Sequence, residues 1–397
     1  MSEPFALAAF LARWSAGIRH DLAASDSETL PLAALLALAD AEDQRRWAAL
    51  DLGYADPRGA PWLREAVARR HAGLAADDVL CCAGAQEAAS CVLRALLTPD
   101  DHAVVVLPLY QPSEQAVTAR CAATGISLAD DGAWTLDLDR VAAALRPNTR
   151  LVLANFPNSP TGASLPRAAL DALVALCRRR GLWLVIDEVY RETDPVPAPA
   201  VVEVYERGIS IDGLSKGYGL PGLRVGWVAC RDRALLSRTL AVKNGLSSCL
   251  SSASEVLAHV ALRRSKSILA RTREIGRRNR ARLDALLARH SGLFEPEGGH
   301  HLAFAFPRYR GGDADVFAAE LARDCGLLIL PASLWRSPLG PLPVDRVRIG
   351  LGHARVASAL DVLDLHLATR PIASDAQPAS YQAARAAERR LRAPERS

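Results

Sequence analysis

The chain has 397 residues, half of them hydrophobic, enough for one large and one smaller core rather than a single one. Its 48 Lys plus Arg against 44 Asp plus Glu leave a formal charge of +4, too little at this length to mark a nucleic-acid or membrane surface, so the composition points to a small-molecule enzyme. Eight cysteines, at 81, 82, 91, 121, 177, 230, 249 and 325, show no CxxC spacing and no metal-ligand pattern with His, and are expected as buried thiols in a reducing compartment.

In chain order, MSEPFALAAFLARW has no basic leader and no long apolar run, so neither a signal peptide nor a membrane span is expected, and the location implied is cytoplasmic. Residues 5–18 carry apolar side chains at helical spacing, and an extended segment at 21–30 follows. Residues 63–71 and 86–97 read as helices, while 102–107, 151–154, 183–186, 208–212 and 223–229 read as strands. Unbroken apolar runs such as AVVVL and LWLVI predict strands buried on both faces of a mainly parallel sheet, hence an α/β domain. Beyond Ser252 the chain turns strongly helical, with a basic solvated face over 263–282, and a compact α+β segment follows at 294–367. The expected division is an N-terminal helix and arm at 1–50 packing with the small domain, a large domain at 51–255, a linking helix and small domain at 256–370, and a disordered tail at 371–397 rich in Ala, Arg, Ser and Pro.

The segment SIDGLSKGYGLPGLRVGW contains a G-x-G-x-x-G match at 217, 219 and 222. A dinucleotide site needs a strand before the glycines and a helix beginning among them, because the pyrophosphate sits on that helix's free N–H groups. Here Pro221 removes one N–H and LRVGWVAC reads as a strand, so the match is accidental. What remains is Lys216 on a short turn, followed eight positions later by Arg224. Such a lysine is either exposed or reactive, and a free amine makes Schiff bases with carbonyl compounds, pyridoxal 5′-phosphate (PLP) among them. LWLVIDEVY sets Asp187 at a strand end, where ligands bind in open α/β sheets. An acid there could pair with a metal, cap a helix or hold a proton on a pyridine nitrogen; no His or Cys stands at metal spacing beside it, so no metal is expected. NFPNSPTG at 155–162 ends a strand in a polar turn, and AGAQEAAS at 83–90 opens a helix whose free N–H groups would suit a phosphate.

Taken together, YADPRGAPWLREAV, AGAQEA, LPLYQP, NFPNSPTG, VIDEVYR, LSKGYGLPGLRVGW and VRIGLG resemble the fold-type I PLP enzymes of the class I/II aminotransferase family, over about residues 54–367. The resemblance implies a PLP-transferase fold of type I. It also implies that Lys216 forms the Schiff base and carries the proton, Asp187 holds the pyridine N–H and Tyr190 the phenolic oxygen. Ala85 and Gln86 would cradle the phosphate with Ser215 and Arg224, and Tyr110 would stack on the ring. Tyr54 would reach the phosphate of a second subunit in a homodimer with shared sites, and Arg348 would grip the substrate carboxylate. Two departures stand out. Gly213 lies where a hydroxyl residue is usual, and Ser159, preceded by Asn158, lies where an asparagine usually meets the phenolic oxygen.

The implied activity is transfer of the amino group of an L-amino acid to a 2-oxo acid. The segment HDLAASDSETLPLAALLAL, with its expected substrate-covering Ser25, also resembles a subgroup that includes capreomycidine synthase, which implies elimination or cyclisation on an amino acid such as a modified arginine as the alternative. His300 and His301, in GGHHLAF, are candidates for an acid or base facing the site, or for packed or solvated histidines.

Overall fold

The computed structural model of the chain describes residues 5–295 and 301–370. The expected tail at 371–397 and His300 lie outside them. Twelve strands occur among the described residues: β1 (His20–Asp21), β2 (Val79–Cys82), β3 (His102–Leu107), β4 (Ala122–Ser127), β5 (Thr149–Asn155), β6 (Trp183–Asp187), β7 (Gly208–Gly213), β8 (Gly226–Cys230), β9 (Phe304–Ala305), β10 (Leu327–Leu328), β11 (Leu330–Pro331) and β12 (Val347–Gly350).

Seven of them form one sheet in the order β2-β8-β7-β6-β5-β3-β4. The run from β7 to β4 is parallel, whereas β8 lies antiparallel to both β7 and β2. Both faces are covered, which is why the strands read as unbroken apolar runs. Along β3, Ala103, Val105 and Leu107 join one buried cluster, with Val92, Leu93 and Leu235 from the helices Ala85–Leu96 and Arg233–Asn244. Val104 and Val106 point the other way, into a cluster with Leu170, Leu173 and Val174 of Arg167–Arg180. Strand pleat thus distributes alternate residues to two helical layers.

The expected strand at 223–229 begins only at Gly226. Pro221–Leu223 forms a 3₁₀ turn and Arg224 takes a left-handed φ of 54°, so the chain reverses before the strand starts. β2 and β4 carry little sequence signal, the first because it is only four residues long and the second because only its last two residues are buried.

A second sheet, β11-β12-β9, is antiparallel, and β1 pairs in parallel with β10. Its core joins Ile349, Leu327, Phe317 and Leu363 to Leu283, Leu286 and Leu287 from the far half of the 25-residue helix Ser265–Arg289. Ile268 and Leu269, in the first half of that helix, pack with Leu220, Trp227 and Ala258 of the large core. The division therefore passes through this helix rather than at 255/256, where it would cut the continuous helix Ser252–Arg263. The N-terminal region is split as well. β1 and the helix Ala6–Trp14 lie with the small sheet, but Leu35 and Ala39 pack with Val67 and Ala258, and buried Asp43 bonds His259 Nδ1 at 2.7 Å, so residues 32–48 cover the large core. Asp130, just past β4, ties the two sheets together: it meets Arg346 at 2.5 Å and also pairs with Arg308, which in turn holds Asp345 at 2.9 Å.

Candidate active site

The carboxyl ends of the parallel strands, a helix N-terminus and the extended arm at 20–28 converge on Lys216. β6 ends in Asp187, in register with Asn155 of β5. Loss of hydration pushes the Asp187 carboxyl up to about 6, against the Val189 N–H it accepts at 3.2 Å and the charge of Lys216 nearby. An enclosed acid with a single weak donor gains from a cationic N–H partner. Three residues on, buried Tyr190 donates its hydroxyl to Ser25 Oγ at 2.9 Å. Burial alone would raise that phenol, but Lys216, Arg348 and the Ser25 bond outweigh it and bring it below its ordinary value.

β7 leads straight into the turn that carries Lys216. The Lys216 Nζ donates to Ser25 Oγ at 3.0 Å and stands 5.4 Å from the centre of the Tyr190 ring. No helix follows the glycines, so they make no dinucleotide cradle.

Anion-binding groups lie at the opening of the helix Ala85–Leu96. Its cap is Gly84 at φ 95°, which offers no side chain to the first-turn N–H groups, and a Cβ there would fall 2.3 Å from Arg224 Nη2. Arg224 is exposed, with Nη1 donating to Pro221 O at 3.0 Å and to Ser215 Oγ at 3.5 Å. The N–H groups of Ala85 and Gln86, the Ser215 hydroxyl and a guanidinium together suit a dianion. Gly213 is explained by crowding: a Cβ would stand 3.0 Å from Val225 O and 3.1 Å from Gly226 Cα, where β7 and β8 pair. The hydroxyl beside Arg224 belongs to Ser215 instead.

On the other side, β12 presents Arg348, only 4% exposed, with Trp335 at 4.9 Å and Phe304 at 5.7 Å from its guanidinium carbon. Its Nη1 donates to Ser159 Oγ at 3.3 Å and its Nη2 to Ala23 O at 2.5 Å, while Nε has no partner among the described residues. A buried guanidinium that meets only neutral oxygens among the described residues can accommodate an anion. Burial lowers its pKa, opposed by Tyr190, Asp21 and Asp26.

Two alternatives that the sequence leaves open concern Asn158 and His301. Asn158 is fully buried and its amide is spent on structure: Nδ2 donates to Pro108 O at 2.9 Å and Asn155 O at 3.3 Å, and Oδ1 accepts from Thr161 at 2.8 Å. It therefore braces the NFPNSPTG turn, and the side chain of this pair that faces Arg348 is that of Ser159. His301 is buried behind Tyr190, ring centres 5.8 Å apart, with Nε2 3.2 Å from Thr193 Oγ1 and Nδ1 accepting the Ala303 N–H at 3.3 Å. Burial drives its pKa down to about 4, and its ring packs against Tyr190 and Phe304. Tyr110 caps the helix Gln111–Thr118, edge-on to Phe5 at 5.3 Å and within electrostatic reach of Asp187, Tyr190 and Arg224. Tyr54 is 96% exposed. Trp335 and Phe304, which flank Arg348, escape sequence reasoning because one comes from the 3₁₀ turn Ala332–Trp335 and the other from β9, and only the fold brings them together. Among the described residues no cluster of His, Cys, Asp or Glu could hold a metal, and no helix is long and apolar enough to cross a membrane.

The family profile described as aminotransferase class I and II matches residues 20–362. The chain is 33% identical over 314 residues to the arginine–pyruvate transaminase AruH of Pseudomonas aeruginosa, covering 75% of this chain and 77% of that protein. It is 31% identical over 303 residues to the capreomycidine synthase of Streptomyces vinaceus, covering 74% and 75%. A solved PLP-dependent aminotransferase from Streptococcus suis superposes with a TM-score of 0.86 at 26% identity, over 93% of this chain and 98% of that one.

Proposed function

Given that the chain belongs to the aminotransferase class I and II family, whose cofactor is PLP, we propose that it moves the amino group of an L-amino acid to a 2-oxo acid, with Lys216 holding the cofactor covalently. The observation that carries this reading is Arg348, a buried guanidinium that pairs with no carboxylate among the described residues, linked through the arm to the lysine. An α-amino acid whose carboxylate pairs with Arg348 would bring its Cα toward Lys216, and a bidentate pair there fixes orientation as well as affinity.

The residues present fit PLP. Asp187 would pair with the pyridine N–H, the charge partner its raised pKa calls for, and Tyr190 would face the phenolic oxygen with Ser159 nearby. Ala85, Gln86, Ser215 and Arg224 would hold the phosphate, with Tyr110 against the ring. Bound there, PLP supplies an electron sink for the Cα–H bond. Lys216 takes the proton from the substrate Cα, Arg348 keeps the substrate from turning, and the arm excludes water. Exposed Tyr54 suits a homodimer in which it reaches the other subunit's phosphate.

The relative's name makes arginine with pyruvate the first pair to assay. The test uses the loaded enzyme and a panel of amino acids without acceptor. Transamination yields one oxo acid per site, then stops until a 2-oxo acid is added. A second reading, elimination or cyclisation, draws on Ser159 in the asparagine position and on the likeness to capreomycidine synthase, and it requires continued turnover without acceptor, with ammonia or a cyclised product.

A further inference from the structure

The hydroxyl of Ser25 is the point at which Lys216 and Tyr190 meet. It lies 3.0 Å from the lysine nitrogen and 2.9 Å from the phenolic oxygen, both of which donate to it, and its residue is only 8% exposed. A hydroxyl has two acceptor lone pairs and one proton. The lysine and the tyrosine occupy both lone pairs, which leaves Ser25 little to offer a substrate donor.

Its seat is built on both sides. Ala23 O accepts from Arg348, Gly350 N donates to Leu22 O at 2.6 Å, Ser27 N donates to Lys216 O at 3.1 Å, and Glu28 N donates to Gly352 O at 2.8 Å. The arm runs so close to these partners that a Cβ at Gly350 would fall 1.8 Å from Ala24 O, and one at Gly352 2.1 Å from Asp26 O. Beyond Ser25, His353 Nε2 meets Asp26 at 3.2 Å and its Nδ1 lies 3.5 Å from Glu28. The hydroxyl is therefore held by backbone contacts before and after it, not by the substrate.

Building on the aminotransferase reading, we propose that Ser25 is a positioning residue for Lys216: it receives the lysine N–H, fixes where the amine points when it is free, and joins it to Tyr190 in one hydrogen-bonded line. Both groups donate to Oγ, so the hydroxyl holds the lysine nitrogen and the phenol at fixed positions relative to one another. The arm thus supplies part of the lysine's environment, beyond covering the substrate.

The decisive measurement needs no cofactor. The full chain, free of PLP, is treated with trinitrobenzenesulfonate at pH 8 and labelling at Lys216 is followed by peptide mass spectrometry in wild type, Ser25→Ala, Ser25→Thr, Tyr190→Phe and the Ser25→Ala/Tyr190→Phe pair. Losing a hydrogen bond to a charged group is expected to raise labelling in Ser25→Ala roughly tenfold, with Ser25→Thr close to wild type. Tyr190→Phe should change the rate less in the Ser25→Ala background than in wild type, since the two act along one line. In the loaded enzyme Ser25→Ala should lower kcat by about 10–100-fold with KM for the amino acid nearly unchanged. Wild-type labelling in Ser25→Ala, or a raised KM at constant kcat, overturns the proposal and returns Ser25 to substrate cover. Failure of the wild type to bind PLP would instead sink the aminotransferase reading, while the labelling series still decides the role of Ser25.

Discussion

The lysine side of the site and the arginine side are built on different plans. Asp187, Lys216, Ser215 and Arg224 come from adjoining strand ends and turns of one seven-stranded sheet, all within about forty residues of sequence. Arg348 and Ser25 come from opposite ends of the chain, joined by a bond from Arg348 to Ala23 across 325 positions. The first side is set by local turn geometry on a buried sheet. The second exists only when the arm, the small sheet and Ser159 are all in place, so loss of Arg348 should reach substrate binding before it reaches the cofactor.

The sharpest break between the two sides is Lys216→Ala. It should remove the absorbance band of covalently held PLP and lower kcat by about 10⁴-fold, the upper range for a positioned proton-transfer group, while an amino acid still shifts the Tm. Arg348→Gln should do the reverse, keeping the band and lowering kcat/KM by roughly 10²–10³-fold, mostly through KM, as expected when the partner of a desolvated carboxylate is lost. An unaltered KM in Arg348→Gln would mean that the carboxylate binds elsewhere.

Asp130→Asn tests how far the sides depend on each other. Removing the anion between Arg308 and Arg346 should cost about 3 kcal/mol, read from the urea midpoint, because it takes the carboxylate from the buried Arg346 guanidinium, while Arg308 keeps Asp345. Cofactor absorbance at low denaturant should be unchanged.

A smaller effect concerns pH. With its folded pKa near 6, above the ordinary 3.8, Asp187 gives the cofactor-free chain stability that is complete below about pH 4 and lost as pH rises through 6. Asp187→Asn should therefore raise the stability of the PLP-free chain at pH 8 by about 2 kcal/mol, after discounting the group's remaining solvent access, and weaken PLP binding at the same pH. Thermal melts with and without PLP check both signs. The smallest change is expected for His301→Phe: about 1 kcal/mol of stability for the lost Thr193 contact, with the pH profile of kcat/KM in place. A moved profile would restore His301 as an acid or base.

The same contrast explains what could be read from the chain. The sheet, the placement of Lys216 and Asp187, and the helix opening at Ala85 were legible because strand runs, a turn and a helix start are local patterns. The antiparallel course of β8 was not, since AVVVL-type runs look alike in either direction, nor was the split of residues 1–50 between two cores, which depends on packing partners more than two hundred positions away. NFPNSPTG names the right turn, but only coordinates decide that Asn158 is consumed by Pro108 and Thr161 while Ser159 faces Arg348. Adjacent histidines in GGHHLAF look chemical until one of them is found under a tyrosine ring.

The close fit of the arm against Gly350 and Gly352 bears on how the protein is made. Ser25 leaves the ribosome well before Gly350 and Gly352, so synthesis alone cannot complete the lysine's surroundings as it proceeds. The nascent chain can raise the seven-stranded sheet and its lysine early, but that lysine stays unescorted until Gly350 arrives and the arm docks. Maturation of the site is then a late docking event, with a long loop to close and a rate of its own.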